Sequence, residues 1–194
     1  MLRNSKTGYG LVAIIFHWSM AILILGMLGL GLYMTSLPQT DPAAFALYQL
    51  HKSLGFTVLA LAVLRLLWRC LNPAPALPSG MGRAERLAAQ LGHAGLYGLM
   101  LVLPLSGWLM VSVSPWGIPT VLFNVLHVPH VPVPEALGDK AAAEATLKAV
   151  HEALAWALLA LVGLHVAAAL KHHFIAKDTI LRRMTSLRPA REDA

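Results

Sequence analysis

Two histidines lie inside one long apolar segment, and their spacing constrains the fold more than any other feature of the sequence. His151 and His165 belong to HEALAWALLALVGLHVAAAL, which has no charged residue between Glu152 and Lys171. In an α-helix, fourteen residues turn by about 1400°, about 40° short of four turns, so both imidazoles face nearly the same side. They then lie about 21 Å apart along the axis. Since the hydrocarbon layer is about 30 Å thick, the spacing predicts one histidine towards each face of a membrane.

The composition is typical of a membrane protein. Charged residues make up 12% of the 194 residues and hydrophobic residues 57%, whereas a soluble domain has about 25% charged residues. A formal net charge of +6 also occurs in nucleic-acid-binding proteins, but no soluble basic face exists here, so we expect no nucleic-acid partner. The single cysteine, Cys70, excludes an internal disulfide and a C-x-x-C-H haem-attachment motif.

Four apolar runs are long enough to span a bilayer, at about 11–34, 43–70, 87–113 and 141–173. We predict an all-α fold, a four-helix transmembrane bundle that forms a single domain over 1–194, with a basic tail at 174–194. The third connection, 114–140, contains FNVLHVPHVPVP, which is expected on the membrane surface. The first run is too long for a signal peptide and lacks a clear A-x-A site, so we expect it to be retained.

Basic residues predict the orientation of the helices. They occur before the first run, four times within 65–86, and repeatedly from Lys171 to the end. The first connection has no Lys or Arg, and the third has only Lys140. The positive-inside rule therefore places both termini and the middle connection in the cytoplasm.

With this topology, four intramembrane histidines fall at two depths. His17 lies six residues after Leu11 and His165 six residues before Lys171, which puts both about 9 Å from the cytoplasmic side. His51 lies about 12 Å from the periplasmic side, at a depth similar to that of His151. Ionisable side chains inside a membrane normally face the bundle interior with a partner. The pairs His17/His165 and His51/His151 therefore predict two haem irons held between helices, each with two axial histidines.

Each of these histidines, taken alone, is explained as well by hydrogen bonding in the core as by ligation. A proton relay explains the matched depths less well, and zinc is disfavoured because its ligands must lie about 2 Å from one ion. His93, in the third run, is interpreted as polar packing or a contact with a haem propionate. Arg65 and Arg69 are expected to anchor the interface or to pair with propionates or lipid phosphate.

Motifs along nearly the whole chain resemble the bacterial cytochrome b561 family, the four-helix dihaem type. They are F-H-W at 16–18, L-H-K-S-L-G at 50–55, V-L-R-L-L-W-R at 63–69, N-P-A-P at 72–75, L-G-H at 91–93, L-P-L-S-G at 103–107, H-E-A-L-A at 151–155, G-L-H-V-A-A-A-L at 163–170 and H-H-F-I-A-K-D at 172–178. The resemblance implies a multi-pass protein of the bacterial inner membrane with two haem b groups, ligated by the same two histidine pairs.

Within the family, the chain is similar to superoxide oxidases, which implies oxidation of periplasmic superoxide and reduction of ubiquinone. His172, or its neighbour His173, is then the candidate quinone contact, although a solvated helix end explains both equally. Lys52 and Lys148 are candidates for attracting superoxide, with snorkelling as the alternative. Gly55, one turn after His51, is a candidate for making room for a haem or for helix packing.

Two further functions are consistent with the sequence. A haem b electron-transfer subunit of a larger dehydrogenase or hydrogenase complex also uses four helices and two haems, and takes electrons from a partner protein instead of superoxide. A proton or small-ion transporter with buried histidines is the third function, and it requires no haem.

Overall fold

The structure is a computed structural model that describes residues 1–78, 80–132 and 139–186. Its long helices are α1 (Leu11–Ser36), α2 (Ala44–Leu71), α3 (Arg83–Val113) and α4 (Lys140–Lys171). Each of the four is long and apolar enough to cross a membrane. The predicted all-α class with four transmembrane helices is therefore confirmed, while the orientation of the termini stays a prediction.

Four short elements complete the described chain. Strands β1 (Thr120–Leu122) and β2 (Leu126–Val128) form an antiparallel hairpin in the third connection. After α4, a turn of π-helix covers His172–Ala176, and a short helix α5 covers Arg182–Thr185. Residues 133–138 of the third connection and 187–194 of the basic tail lie outside the described residues.

The helix ends follow from local sequence. Pro38 follows the end of α1, and Asn72-Pro73 follows α2, because the residue before a proline disfavours the helical conformation. Helix α3 begins at Arg83, four residues before the predicted start, with Glu85 in its first turn, where a negative charge favours the helix dipole. Apolar side chains such as Ile22 (71% exposed) and Leu164 (67% exposed) point outwards, as in a protein covered by lipid.

The chain packs as two compact units, each of which contains a part of all four long helices. The first, the terminal unit, comprises Met1–Ala21, Leu61–Gly98 and Leu159–Ala194. The second, the hairpin unit, comprises Ile22–Ala60 and Leu99–Leu158.

In the terminal unit, Asn4 fastens the N-terminal segment to the end of α2. Its Nδ2 donates to the carbonyls of Asn72 and Pro73, at 3.0 and 3.2 Å, while its Oδ1 accepts from the Gly10 N–H at 2.9 Å. Gly10 permits this fold because a Cβ there would lie 2.3 Å from the Leu2 carbonyl oxygen. The segment therefore packs against α2 through hydrogen bonds that a larger residue at position 10 would disrupt.

In the hairpin unit, hydrogen bonds hold the third connection on α2. Gln49 Nε2 and Lys52 Nζ both donate to the Pro119 carbonyl at 3.0 Å. The Phe123 N–H donates to the Ser53 hydroxyl at 3.0 Å, and this hydroxyl donates to the Gln49 carbonyl at 2.8 Å. Ser53 is only 2% exposed, and its hydroxyl joins the backbone of the hairpin to that of α2.

We predict that Ser53→Ala loosens the hairpin. The substitution leaves the Phe123 N–H without its acceptor, which costs about 1–3 kcal/mol. Thermal unfolding in detergent should show a lower Tm, and limited proteolysis should cut the hairpin sooner. Ser36→Ala is the matched control, because Ser36 is exposed and bonds only within its own helix. Equal behaviour of the two variants would show that Ser53 does not hold the hairpin.

Candidate functional site

The hairpin unit brings together His51 of α2 and His151 of α4. Their ring centroids lie 6.3 Å apart, with the ring planes at 74°. Two imidazoles on opposite sides of one iron, each bound at about 2 Å, have their centroids about 6 Å apart. The pair therefore has the spacing of two axial ligands.

Hydrogen bonds around this pair leave one nitrogen of each ring free for a metal. Ser106 donates its only hydroxyl proton to the Leu103 carbonyl at 2.7 Å, so it accepts from His151 Nδ1, which lies 2.9 Å away. This tautomer leaves His151 Nε2 unprotonated, and an orienting bond to the other nitrogen is typical of metal-ligating histidines. His51 Nδ1 is buried and has no hydrogen-bond partner among the described residues.

Two glycines allow helices to approach the same rings. A Cβ on Gly107 would lie 3.1 Å from His151 Cε1, and a Cβ on Gly31 would lie 3.5 Å from His51 Cε1. Gly55, the glycine predicted to make room for a haem, lies instead beside Met27, 3.8 Å from its Cε. Gly107 and Gly31 are therefore the glycines in contact with the histidine pair.

The terminal unit contains the second predicted pair. The ring centroids of His17 and His165 lie 6.1 Å apart, with the planes at 63°. His93 lies on the other side of this group, with its centroid 5.7 Å from that of His165. Arg65 donates through Nη2 to His17 Nδ1 at 3.1 Å. The second pair thus has ligand spacing, together with a third histidine and a cation. A neutral His17 that accepts at Nδ1 carries its proton on Nε2, so binding of a metal at Nε2 requires the bond from Arg65 to break.

The donor set fits a haem better than a bare metal ion. Across residues 1–78, 80–132 and 139–186, no group of three or more His, Cys, Asp or Glu side chains is placed to hold an ion. A pair of imidazoles alone under-coordinates zinc, which takes four ligands. It is the axial set that a haem iron requires, because the macrocycle supplies the other four nitrogens.

The remaining predicted site residues lie apart from these pairs. Lys52 Nζ bonds to the Pro119 carbonyl, and Lys148 is exposed on α4. His172 is 8% exposed, with Nδ1 2.5 Å from Asp178 Oδ2 and Nε2 3.5 Å from Glu85 Oε1. Lys171 also pairs with Glu85, at 2.6 Å. Both ring nitrogens of the quinone candidate therefore face carboxylates.

His173 has a different environment from its neighbour. Its ring packs edge-on against Phe174, with centroids 4.7 Å apart, and its Nδ1 is buried without a partner in the described part of the chain. His173 Nδ1 is therefore free to bond to another group, whereas both ring nitrogens of His172 already face carboxylates.

Sequence reasoning missed the roles of Ser106 and Gly107. Both belong to the L-P-L-S-G motif, which indicated only a family resemblance and no contact with a histidine. The Ser-Gly pair inside an apolar helix could have predicted this contact, because the hydroxyl can bond to a polar ring and the glycine lets that ring come close.

Comparisons with known proteins agree with this geometry. A family model described as prokaryotic cytochrome b561 matches residues 8–187. The chain belongs to the prokaryotic cytochrome b561 family. Membership implies haem b binding and electron transfer, and it confirms the predicted location as a multi-pass protein of the bacterial inner membrane.

Two curated relatives extend the comparison. "Cytochrome b561 homolog 2" of Escherichia coli (strain K12) is 37% identical over 181 residues, which is 93% of each chain. "Probable superoxide oxidase CybB" of Yersinia pestis is 33% identical over 137 residues, covering 70% of this chain and 72% of the relative. The recognition of the family from its motifs is confirmed.

We predict that Gly107→Ala disturbs haem binding at the predicted ligand pair, His51 and His151. The added methyl group forces His151 to shift, because 3.1 Å is closer than nearly all Cβ contacts. The haem-to-protein ratio of the purified variant should fall, because the substitution affects one of the two predicted ligand pairs. Gly163→Ala is the matched control, because nothing lies within 4 Å of a Cβ there. An unchanged ratio and spectrum in Gly107→Ala would contradict a role for this close approach.

Proposed function

We propose that this family member is a dihaem b-type cytochrome that oxidises periplasmic superoxide to oxygen and reduces ubiquinone. The observation that carries the proposal is the presence of two histidine pairs at axial-ligand spacing, 6.1 and 6.3 Å. Similarity to the probable superoxide oxidase supports the choice of substrate. The overall reaction balances as two superoxide anions, one quinone and two protons giving two oxygen molecules and one quinol.

Each histidine pair would hold one haem b. When bound, such a group supplies a one-electron iron couple with no open coordination position, which favours outer-sphere transfer. Ser106 orients His151, and the basic residues of the sequence predict that His51 and His151 lie towards the periplasm. His17 and His165 would then lie towards the cytoplasm, the side at which we expect the quinone to be reduced.

The chain's own charges contribute at both ends of the reaction. Superoxide is an anion, so the positive charge of Lys52, next to His51 in sequence, would draw it to the periplasmic surface. His172 stays the candidate for the quinone contact, and its ring nitrogens lie 2.5 Å from Asp178 Oδ2 and 3.5 Å from Glu85 Oε1. That network lies next to the exposed Lys171, where protons from water reach it.

The experiment is a superoxide pulse on the purified holoprotein, followed by addition of ubiquinone. We expect haem reduction by superoxide and reoxidation by quinone, both observed in the optical spectrum. His51→Ala should lose the response to superoxide, because it removes a ligand of the periplasmic pair. Two haems that are indifferent to superoxide would contradict the proposal and favour a partner-fed electron-transfer subunit.

We predict that Lys52→Gln slows haem reduction by superoxide about threefold at low ionic strength, because the attraction of a charge at the entry point is lost. Stopped-flow measurements at rising salt should abolish the difference, since salt screens exposed charges over about 10 Å at 0.1 M. Lys52→Arg, which keeps the charge, should react like the parent. Lys148→Gln tests the other candidate lysine in the same assay. A salt-independent defect in Lys52→Gln would indicate a role in holding Pro119 instead.

A further inference from the structure

An open recess in the terminal unit has no role in the function proposed above. It is open on one side and encloses about 30 Å³. Its walls come from the N-terminal segment, the last turns of α2, α3 and the C-terminal segment, and are formed by Asn4, Tyr9, Ala13, Arg65, Trp68, Arg69, Asn72, Ala74, Tyr97 and Met184. We call it the Arg65–Arg69 recess. None of these residues carries a carboxylate.

Two guanidinium groups contact the same tyrosine ring at this recess. The central carbons of Arg65 and Arg69 both lie 5.5 Å from the ring centroid of Tyr97. Across the described residues, neither group forms an ion pair with an Asp or Glu side chain. Arg65 is half-buried and Arg69 is exposed, and an anion bound beside both would reduce the repulsion between their charges.

Two uncharged donors belong to residues that form its walls. Trp68 Nε1 is buried and has no hydrogen-bond partner within the described chain, although an indole N–H can only donate. Burial raises the pKa of the Tyr9 phenol, so its hydroxyl stays protonated at neutral pH and can donate as well. Asn4 fixes this wall through its bonds to Asn72 and Pro73. The recess therefore offers cations and N–H or O–H donors to a ligand that only accepts.

We propose that the Arg65–Arg69 recess binds an anionic oxygen group, a carboxylate or a phosphate. Guanidinium groups match both geometrically, because each presents two parallel N–H donors. Two sources supply this chemistry in a membrane haem protein: a haem propionate and a lipid phosphate. Arg65 also contacts His17, which favours the propionate, and this source rests on the proposed haem at His17 and His165.

The test uses two substitutions in the holoprotein, reconstituted in nanodiscs that contain anionic phospholipid. Trp68→Phe removes one donor without changing charge, and Arg69→Gln removes one cation. Trp156→Phe is the control, because Trp156 is exposed and lies in the hairpin unit. Arg69→Lys keeps the charge but loses the paired donors. The readouts are resonance Raman spectra of the propionate bending bands, the pH dependence of the midpoint potential of each haem, and native mass spectrometry of retained phospholipid.

If a propionate occupies the recess, Trp68→Phe shifts a propionate band of one haem, and Arg69→Gln makes the potential of that haem more pH-dependent. If a lipid phosphate occupies it, both variants retain less phospholipid and the propionate bands stay unchanged. The lipid readout does not require haem. A protein without haem would therefore contradict the proposed function, while phospholipid retention would still test whether the recess binds an anion. If Trp68→Phe and Arg69→Gln match the Trp156→Phe control in all three readouts, no anion binds there.

Discussion

An imidazole in a hydrocarbon layer is stable only with a partner, and the arrangement of this protein depends on that constraint. Water is absent at that depth, so each ring must find its polar contact within the chain or in a bound group. Two pairs of such rings occur here, one in each unit, at centroid separations of 6.1 and 6.3 Å. A metal between the two rings of a pair would bind the facing nitrogen of each ring at the same time.

The surroundings of the pairs differ in the way they fix the rings. His151 is oriented by a hydroxyl whose own proton is already used, so its tautomer is defined. His17 accepts from a guanidinium, and His93 adds a further ring beside His165. The His17/His165 pair therefore lies in a more positive environment than the His51/His151 pair. Charge near a haem is one of the factors that set its reduction potential, so the two haems proposed above would have unequal potentials.

Much of the fold was predictable because membrane thickness sets helix length. Four apolar runs of sufficient length leave little freedom, and prolines after α1 and α2 mark where helices end. The hairpin was not predicted because its strands have three residues each and its turn places Phe123 and Asn124 at positive φ without the usual Asn-Gly signal. Hydrogen bonds from Gln49, Lys52 and Ser53 of α2 stabilise it instead, and such long-range contacts have no local pattern.

In the site, as in the fold, features set by local sequence were predicted and long-range contacts were not. The depth of a residue in the membrane follows from its distance in sequence to the helix end. Both histidine pairs could therefore be predicted by counting residues from the helix ends. The contacts of His151 with Ser106 and of His17 with Arg65 join residues 45 and 48 positions apart. Which small or charged residue of one helix meets a given ring depends on helix rotation and crossing, and the sequence pattern leaves both undetermined.

The most direct test of the central claim is the haem content of the gently purified parent protein, by pyridine haemochrome with near-infrared magnetic circular dichroism to identify the axial ligands. We predict two haem b groups per chain, both low-spin with two histidine ligands. A single haem would show that one histidine pair has another role. Protein without haem, or with an open-coordinate high-spin iron, would contradict the claim that the two histidine pairs are axial ligand sets.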